Sequence, residues 1–381
     1  MLPATIPPPR SLPVERARKQ FPRQNPKQKN SSKPQKKQMS TKPTNQSPTQ
    51  LSRKARHKTA ILAGTVLAAA TLAARAAITM QLVTVGDPGN AADTRYSPNR
   101  GAVASTFSIG KYEVQNSEYA EFLNAVAATD TNTLYNTAMA TKGIVRSGSA
   151  GSYTYAAVSA RGNSPLQYIT WAGSLRFANW MHNGQPTGAQ NNSTTEDGAY
   201  QVSLGTAAVR KAGATWFVPS IDEWYKAAFY KGDGTNAGYW SYPTKSDTAP
   251  LLRAAPGASR PGGSAWDNSA LWGATGGPIA VGSYNAGDSV GPYGTYDQAG
   301  NLFEQPETLI SNQGVILGGG GPYNDGTATH GAAYNTNPWT DGLGVWEGKG
   351  FRMAAATVPE PSSLLLLATG LVGVAFRRRR A

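Results

Sequence analysis

The 381-residue chain has no cysteine. Disulfides, thiolate metal sites and sulfur nucleophiles are therefore excluded, and the core must hold by packing, hydrogen bonds and any oxygen-ligated ion. Histidine is almost as scarce: His57, His182 and His330 are the three, far apart in sequence. A histidine-rich metal site is incomplete on that count. Charged residues make up only 15% of the chain. No apolar run reaches the roughly 20 residues of a membrane-spanning helix. The one Gly-x-Ser-x-Gly pattern, Gly287 to Gly291, lies among turn residues with no strand-to-helix elbow in the sequence, and the glycines at 318–321 precede no βαβ unit, so neither a hydrolase nucleophile nor a dinucleotide site is indicated.

What charge there is lies at the two ends. The formal net charge is +14, which at first sight suggests a nucleic-acid binder. Residues 1–58 alone carry 15 Lys/Arg against one acid, Glu15, and Arg377, Arg378, Arg379 and Arg380 add four more. The span 59–376 then holds 17 bases and 21 acids, a net of −4. The body of the protein is mildly acidic, and no nucleic-acid partner is expected.

The leader 1–58, rich in Pro, Gln, Ser and Asn, cannot bury enough apolar surface to order itself and is expected to be disordered. It reads as an extended n-region or a start taken too early, with Met39 one candidate start, rather than a nucleic-acid arm. Next, 59–74 is apolar, follows a basic 53–58, and ends in Ala74-Arg75-Ala76. That is the plan of a secretory signal peptide over 59–77, cleaved near Ala76 or Ala77. At the other end stands "VPEPSSLLLLATGLVGVAFRRRRA". Its apolar stretch 363–376 would span about 21 Å as a helix, short of a hydrocarbon core of ~30 Å. A Pro359-Glu360-Pro361 turn, an apolar run and a basic stop in that order resemble a PEP-CTERM sorting signal over 358–381. The resemblance implies processing by an exosortase-type membrane protease near Pro359–Pro361, transient membrane contact through the tail, and a place at the bacterial cell envelope, surface or extracellular matrix.

Between the ends, 78–357 shows no internal repeat or linker-like charge run. Tyr119, Phe122, Leu123 and Val126 are spaced as one face of a helix over 116–127. Thr170 is placed to cap a helix over 171–182 with Trp171, Leu175 and Ala178 on one stripe. Ser220 and Glu223 form a capping box before a third helix whose inner face carries Trp224, Ala227 and Ala228. Short strands are expected at 106–109, 216–218, 314–317 and 350–354. Strands this short among Gly/Pro/Asn loops predict one irregular α+β domain rather than βαβ units.

The landmarks "SIGKYEVQNSEYAEFLNAV", "SPLQYITWAGSLRFANWM", "WFVPSIDEWYKAAFY", "YGTYDQAGNLFEQ", "ILGGGG" and "GFRMA" follow in an order that resembles the sulfatase-modifying, formylglycine-generating enzyme superfamily, from about Val83 to Ala355. The resemblance implies a C-type-lectin-like α+β fold with few short strands and about three main helices, stabilised by calcium. In "YDQAGNLFE", Asp297 and Glu304 are hard oxygen donors, and Gly300 permits a turn that aims carbonyls inward. Asp297 and Glu304 side chains with Gly300 and Leu302 carbonyls match the family's second calcium loop; the alternative is a plain hydrogen-bonded loop with Asn301 and Glu304 as caps. A further ion near Asn268 and Ser269 has weaker grounds, with no clear acid partner downstream.

Catalysis is where the resemblance departs. The formylglycine-generating enzymes work through a cysteine pair binding copper, and the matching region here holds Pro322, Tyr323, Asn324 and Asp325. No copper is expected, since soft copper(I) finds no thiolate. His182, at a helix end, is expected to meet the last carbonyls. His330 lies near the family's pocket. Among loop tryptophans, Trp339 and Trp346, with Tyr323, flank that pocket and are the candidate ligand contacts; most others are expected to pack under loops. The reading is an exported, surface-sorted domain with a structural or binding role toward polysaccharide or a surface protein. The alternative is a metal-dependent oxidoreductase or similar enzyme using His330, Tyr323 and Asp325.

Overall fold

The computed structural model describes residues 77–248, 278–283, 290–298, 300–318, 339–340, 343–345 and 347–357. All of them belong to the second of two compact units, Ala73–Ala381. The centre is a four-stranded antiparallel sheet of β1 (Leu82–Val85), β2 (Phe107–Gly110), β11 (Ala354–Ala356) and β5 (Trp216–Phe217), in the order β1-β2-β11-β5. Ala354 pairs with Ile109 on one side and Phe217 on the other, so the last strand of the domain is an interior one.

The helices form where their spacing places them. α1 (Asn116–Val126) buries Tyr119, Phe122, Leu123 and Val126, and the Glu118 carboxylate accepts the Gln115 N–H at 2.8 Å. A single turn, α2 (Met139–Lys142), leads into a hairpin of β3 (Ile144–Ser147) and β4 (Thr154–Ala157). In α3 (Trp171–His182) the Thr170 hydroxyl accepts the Gly173 N–H at 2.9 Å. α4 (Ile221–Phe229) begins with the expected capping box: Ser220 Oγ accepts from Glu223 N at 3.2 Å and Glu223 Oε2 from Ser220 N at 2.7 Å. These contacts satisfy amide donors that a helix start otherwise leaves unpaired.

Rings join these elements. Phe122 of α1 meets Phe177 of α3 edge-on at 5.2 Å, and Phe177 meets Phe351 at 5.7 Å. Such contacts add to the burial of the large side chains that dominates core stability. A second cluster packs Trp224, Tyr225 and Phe229 of α4 against Tyr239, Val315 and Leu317. The remaining strands are β6 (Phe303–Glu304), which pairs in parallel with β10 (Lys349–Gly350), and β7 (Leu309–Ile310), β8 (Gln313–Ile316) and β9 (Trp339–Thr340), in that order in one sheet.

Two expectations change. The strand at 350–354 is divided into β10 and β11, because Phe351–Met353 leave the ladder where Arg352 turns into the interior. His182 does not meet its helix's carbonyls: its Nδ1 lies 2.8 Å from Thr215 Oγ1 and accepts the Thr215 N–H at 3.1 Å, tying α3 to the approach of β5.

Candidate functional site

The loop 296–304 carries two of the acids that the sequence singles out. Its backbone is pinned at both ends: Tyr296 N donates to Lys111 O at 2.9 Å, and Glu304 and Leu317 exchange both backbone hydrogen bonds at 2.9 Å. Between them Gly300 N donates to Gly318 O at 3.0 Å. Gly300 has φ +114°, while Asp297 and Asn301 hold left-handed φ of 61° and 52°, a conformation Asp and Asn tolerate better than most residues. Gly318 is the counterpart: a Cβ there would come 2.8 Å from Gln298 O, which is prohibitive. The tight turn expected of this loop is present, and it drives Asp297 and Glu304 inward, both about 98% buried or more.

A guanidinium meets them. Arg352 Nε donates to Glu304 Oε2 and Nη2 to Oε1, each at 2.6 Å. Its remaining donors reach Gly110 O at 2.8 Å and Tyr296 O at 2.9 Å. Trp224 Nε1 adds a third bond to Glu304 Oε2 at 3.0 Å. Asp297 Oδ2 accepts the Gly282 N–H at 2.7 Å. A third acid, which sequence reading missed, completes the group. Glu113 follows β2, with the adjacent Val114 fixed by hydrogen bonds to Phe351 and Leu166. It is buried, interacts electrostatically with Asp297, Glu304 and Arg352, and neither of its carboxylate oxygens has a hydrogen-bond partner among the described residues. Asn301 Oδ1 is likewise buried and unpaired.

Three buried carboxylates against one buried guanidinium leave two negative charges uncompensated. Burial is the chief cause of the response: it pushes Glu113 well above the ordinary carboxylate range and raises Asp297 to about 6, the neighbouring acids adding to both. Protons are thus favoured in the place of a missing positive charge. The donor chemistry fits a hard divalent cation, with oxygen ligands, two surplus charges and orphaned oxygens on Glu113. The acids do not form a ready shell: among the described residues no three His, Asp or Glu side chains are arranged to hold a metal, because both Glu304 oxygens face Arg352.

A second charged knot lies elsewhere. Arg210 donates to Glu223 at 2.6 and 2.8 Å and to Glu307 at 2.6 and 2.9 Å, its guanidinium 3.7 Å from the centre of the Phe217 ring. Tyr200 OH also bonds Glu307. Tyr200, Arg210 and Glu307 of this knot line a cleft of about 360 Å³ together with Thr308, Leu309 and Ser311. Every Arg210 nitrogen is engaged in holding the 200–210 segment to α4 and the 307 loop.

Of the other expected residues, Tyr323, Asp325, His330, Trp346, Asn268 and Ser269 lie outside the described residues, as do Pro359, Glu360, Pro361 and Arg377–380. Trp339 falls in β9, its backbone paired with Ile316. Trp240, a loop tryptophan, carries Lys231 Nζ 4.4 Å from its ring centre.

A cysteine-less α+β domain with few short strands, its last strand inside the sheet and a buried acid cluster beneath a Gly-turn loop, defines the class. The profile of the Sulfatase-modifying factor enzyme 1-like domain matches residues 46–356, and the chain belongs to that family. The PEP-CTERM protein-sorting motif matches residues 357–380, which marks the chain for export, envelope association and exosortase-type processing in bacteria. Among solved structures it is similar to CarF, at 16% identity and TM-score 0.44, over 74% of this chain and 99% of that one. It is also similar to Treponema denticola variable protein 1, at 16% and 0.43 over 73% and 96%. PvdO from Pseudomonas aeruginosa follows at 15% and 0.39 over 73% and 92%. No curated protein matches the chain.

Proposed function

We propose that the protein is an exported, non-catalytic member of its family that binds a ligand or serves as a structural module at the cell envelope or extracellular matrix. The observation that carries this reading is the complete absence of cysteine in a fold whose oxidase chemistry depends on a cysteine pair. The stretch 59–77 reads as a secretory signal peptide, consistent with the sorting motif at the other end. Calcium is its ion: Asp297 and the orphaned Glu113 supply carboxylates, Gly300 and Leu302 are the carbonyl donors, Glu304 joins them by turning an oxygen away from Arg352, and the ion's charge offsets the buried surplus. Bound there, calcium joins the loop 296–304 to the segment after β2 and stiffens the domain. Polysaccharide or another surface protein is the partner, met through Tyr323, Trp339 and Trp346.

Metal content by mass spectrometry and a glycan array in calcium test the reading together. Stoichiometric calcium without iron or copper, and retention of at least one polysaccharide class, is the expected result. Stoichiometric copper or iron after mild purification would overturn the non-catalytic assignment. A uniformly blank array would remove polysaccharide as the partner and leave the structural role. Calcium should raise the melting temperature by about 3 °C or more over chelator-treated protein, a gain that Glu113→Gln diminishes.

A further inference from the structure

The sorting motif begins at residue 357, and the preceding residue is the last of β11. β11 is not a fraying edge. Ala355 is paired with Ser108 and Trp216, and Ala356 with Phe107; Ala356 N donates to Thr215 O at 3.0 Å. Four residues before that end, Arg352 is locked to Glu304, Gly110 and Tyr296. The chain emerges at Thr357, which is exposed, and only Thr357 and Val358 precede the Pro-Glu-Pro segment.

We propose that the folded domain itself restrains processing of its tail, by fixing the chain almost flush with the cleavage segment. Two residues span at most about 7 Å. A globular domain of this length has a radius of gyration of about 19 Å. A protease groove takes an extended substrate on both sides of the bond it cuts, and here the upstream side enters an interior strand at once. From Thr357 to the start of the leucine run at Leu364 the chain can reach about 24 Å at most, so the sheet end bearing Thr215 and Thr357 is held close to the membrane and its protease. Releasing more upstream chain requires peeling β11 from two neighbours, and going further back than Ala354 withdraws the buried Arg352, which leaves the Glu304 charge in the interior without its counter-ion. The chemistry is ordinary: one peptide bond breaks, the departing amine takes a proton, and the acyl group passes to water or to a nucleophilic amine or hydroxyl. The restraint acts on access alone. It rests on the sorting motif and on β11, not on the proposed ligand or calcium.

The test uses the full chain in a bacterial host with the processing machinery. A flexible Gly/Ser insert of about ten residues between Thr357 and Val358 adds roughly 18 Å of root-mean-square reach. The same insert in the exposed turn 148–151 between β3 and β4 is the control. Pulse–chase with intact-mass readout should show the tail removed about threefold faster or more in the first variant and unchanged in the second. Matching melting temperatures of the purified variants establish that both fold. Processing at the wild-type rate, or slower, with the spacer at 357 would overturn the proposal, as would equal acceleration by the control insert.

Discussion

Asp297 concentrates the chemistry of the buried cluster in one side chain. Its carboxyl is raised to about 6, chiefly by burial and further by the Glu304 charge, against a Gly282 N–H and Arg352 that lower it. The unfolded chain releases that proton near pH 4. A raised carboxyl binds more protons folded than unfolded in the interval, so its contribution is fully present below about pH 4 and is lost as pH climbs through about 6. In chelator, where no ion competes with the proton, denaturant-derived stability is therefore expected to fall over that window, by of order 1–3 kcal/mol from this group. Asp297→Asn keeps an oxygen for Gly282 and removes the titration, so its profile should be flatter. A wild-type profile that rises between pH 4 and 6 would contradict the assignment. Added calcium should flatten the wild-type profile too, because it replaces the proton as the balancing charge.

Elements report how much of this was visible beforehand. The capping box at Ser220 was legible because both halves lie within four residues, and its energetic weight can be measured directly. Ser220→Ala loses the acceptor for the Glu223 N–H and leaves in place the bond from the residue-220 N–H to the Glu223 carboxylate. A cost of about 1–2 kcal/mol in chemical denaturation is expected, at the upper end for caps. Ser220→Asp, which preserves an acceptor and favours the helix N-terminus, should recover most of it; equal loss in both variants would mean that the cap is not the cause. The three main helices were readable for the same local reason, from 3.6-residue stripes, closed in the second and third by caps at Thr170 and Ser220. The tight turn at Gly300 was readable, with Asp297 and Glu304 as the acids it carries. Glu113 and Arg352 were not, since nothing near "YEV" or "GFRMA" shows that they meet across more than 200 residues of sequence. A separation of 48 residues between Arg352 and Glu304 hid the division of 350–354: the run is apolar enough for one strand, and the pairing of Arg352 with Glu304 takes its middle out of the ladder. His182 was misjudged for want of Thr215, a loop residue with no periodic signal.

At the scale of the molecule, the fold closes late. Ile109 pairs with Ala354 across nearly the whole domain, and the sheet lacks its interior strand until the last residues before the sorting motif are available. Pairings this distant in sequence carry a high loop-closure cost and form only when the intervening chain is present. The C-terminal boundary of the stable unit should therefore be sharp. A chain ending after Thr357 retains every strand described and should melt within about 2 °C of the full-length protein. A chain ending after Met353 loses β11, which separates β2 from β5 and strips the backbone partners of Phe107, Ile109 and Phe217. Unpaired buried amides and carbonyls of that number exceed the net stability of an ordinary domain, so no cooperative transition is expected by circular dichroism or calorimetry. If the shorter chain still melts cooperatively within a few degrees of the longer one, β11 is dispensable, and the restraint it is proposed to place on the tail loses its mechanical basis.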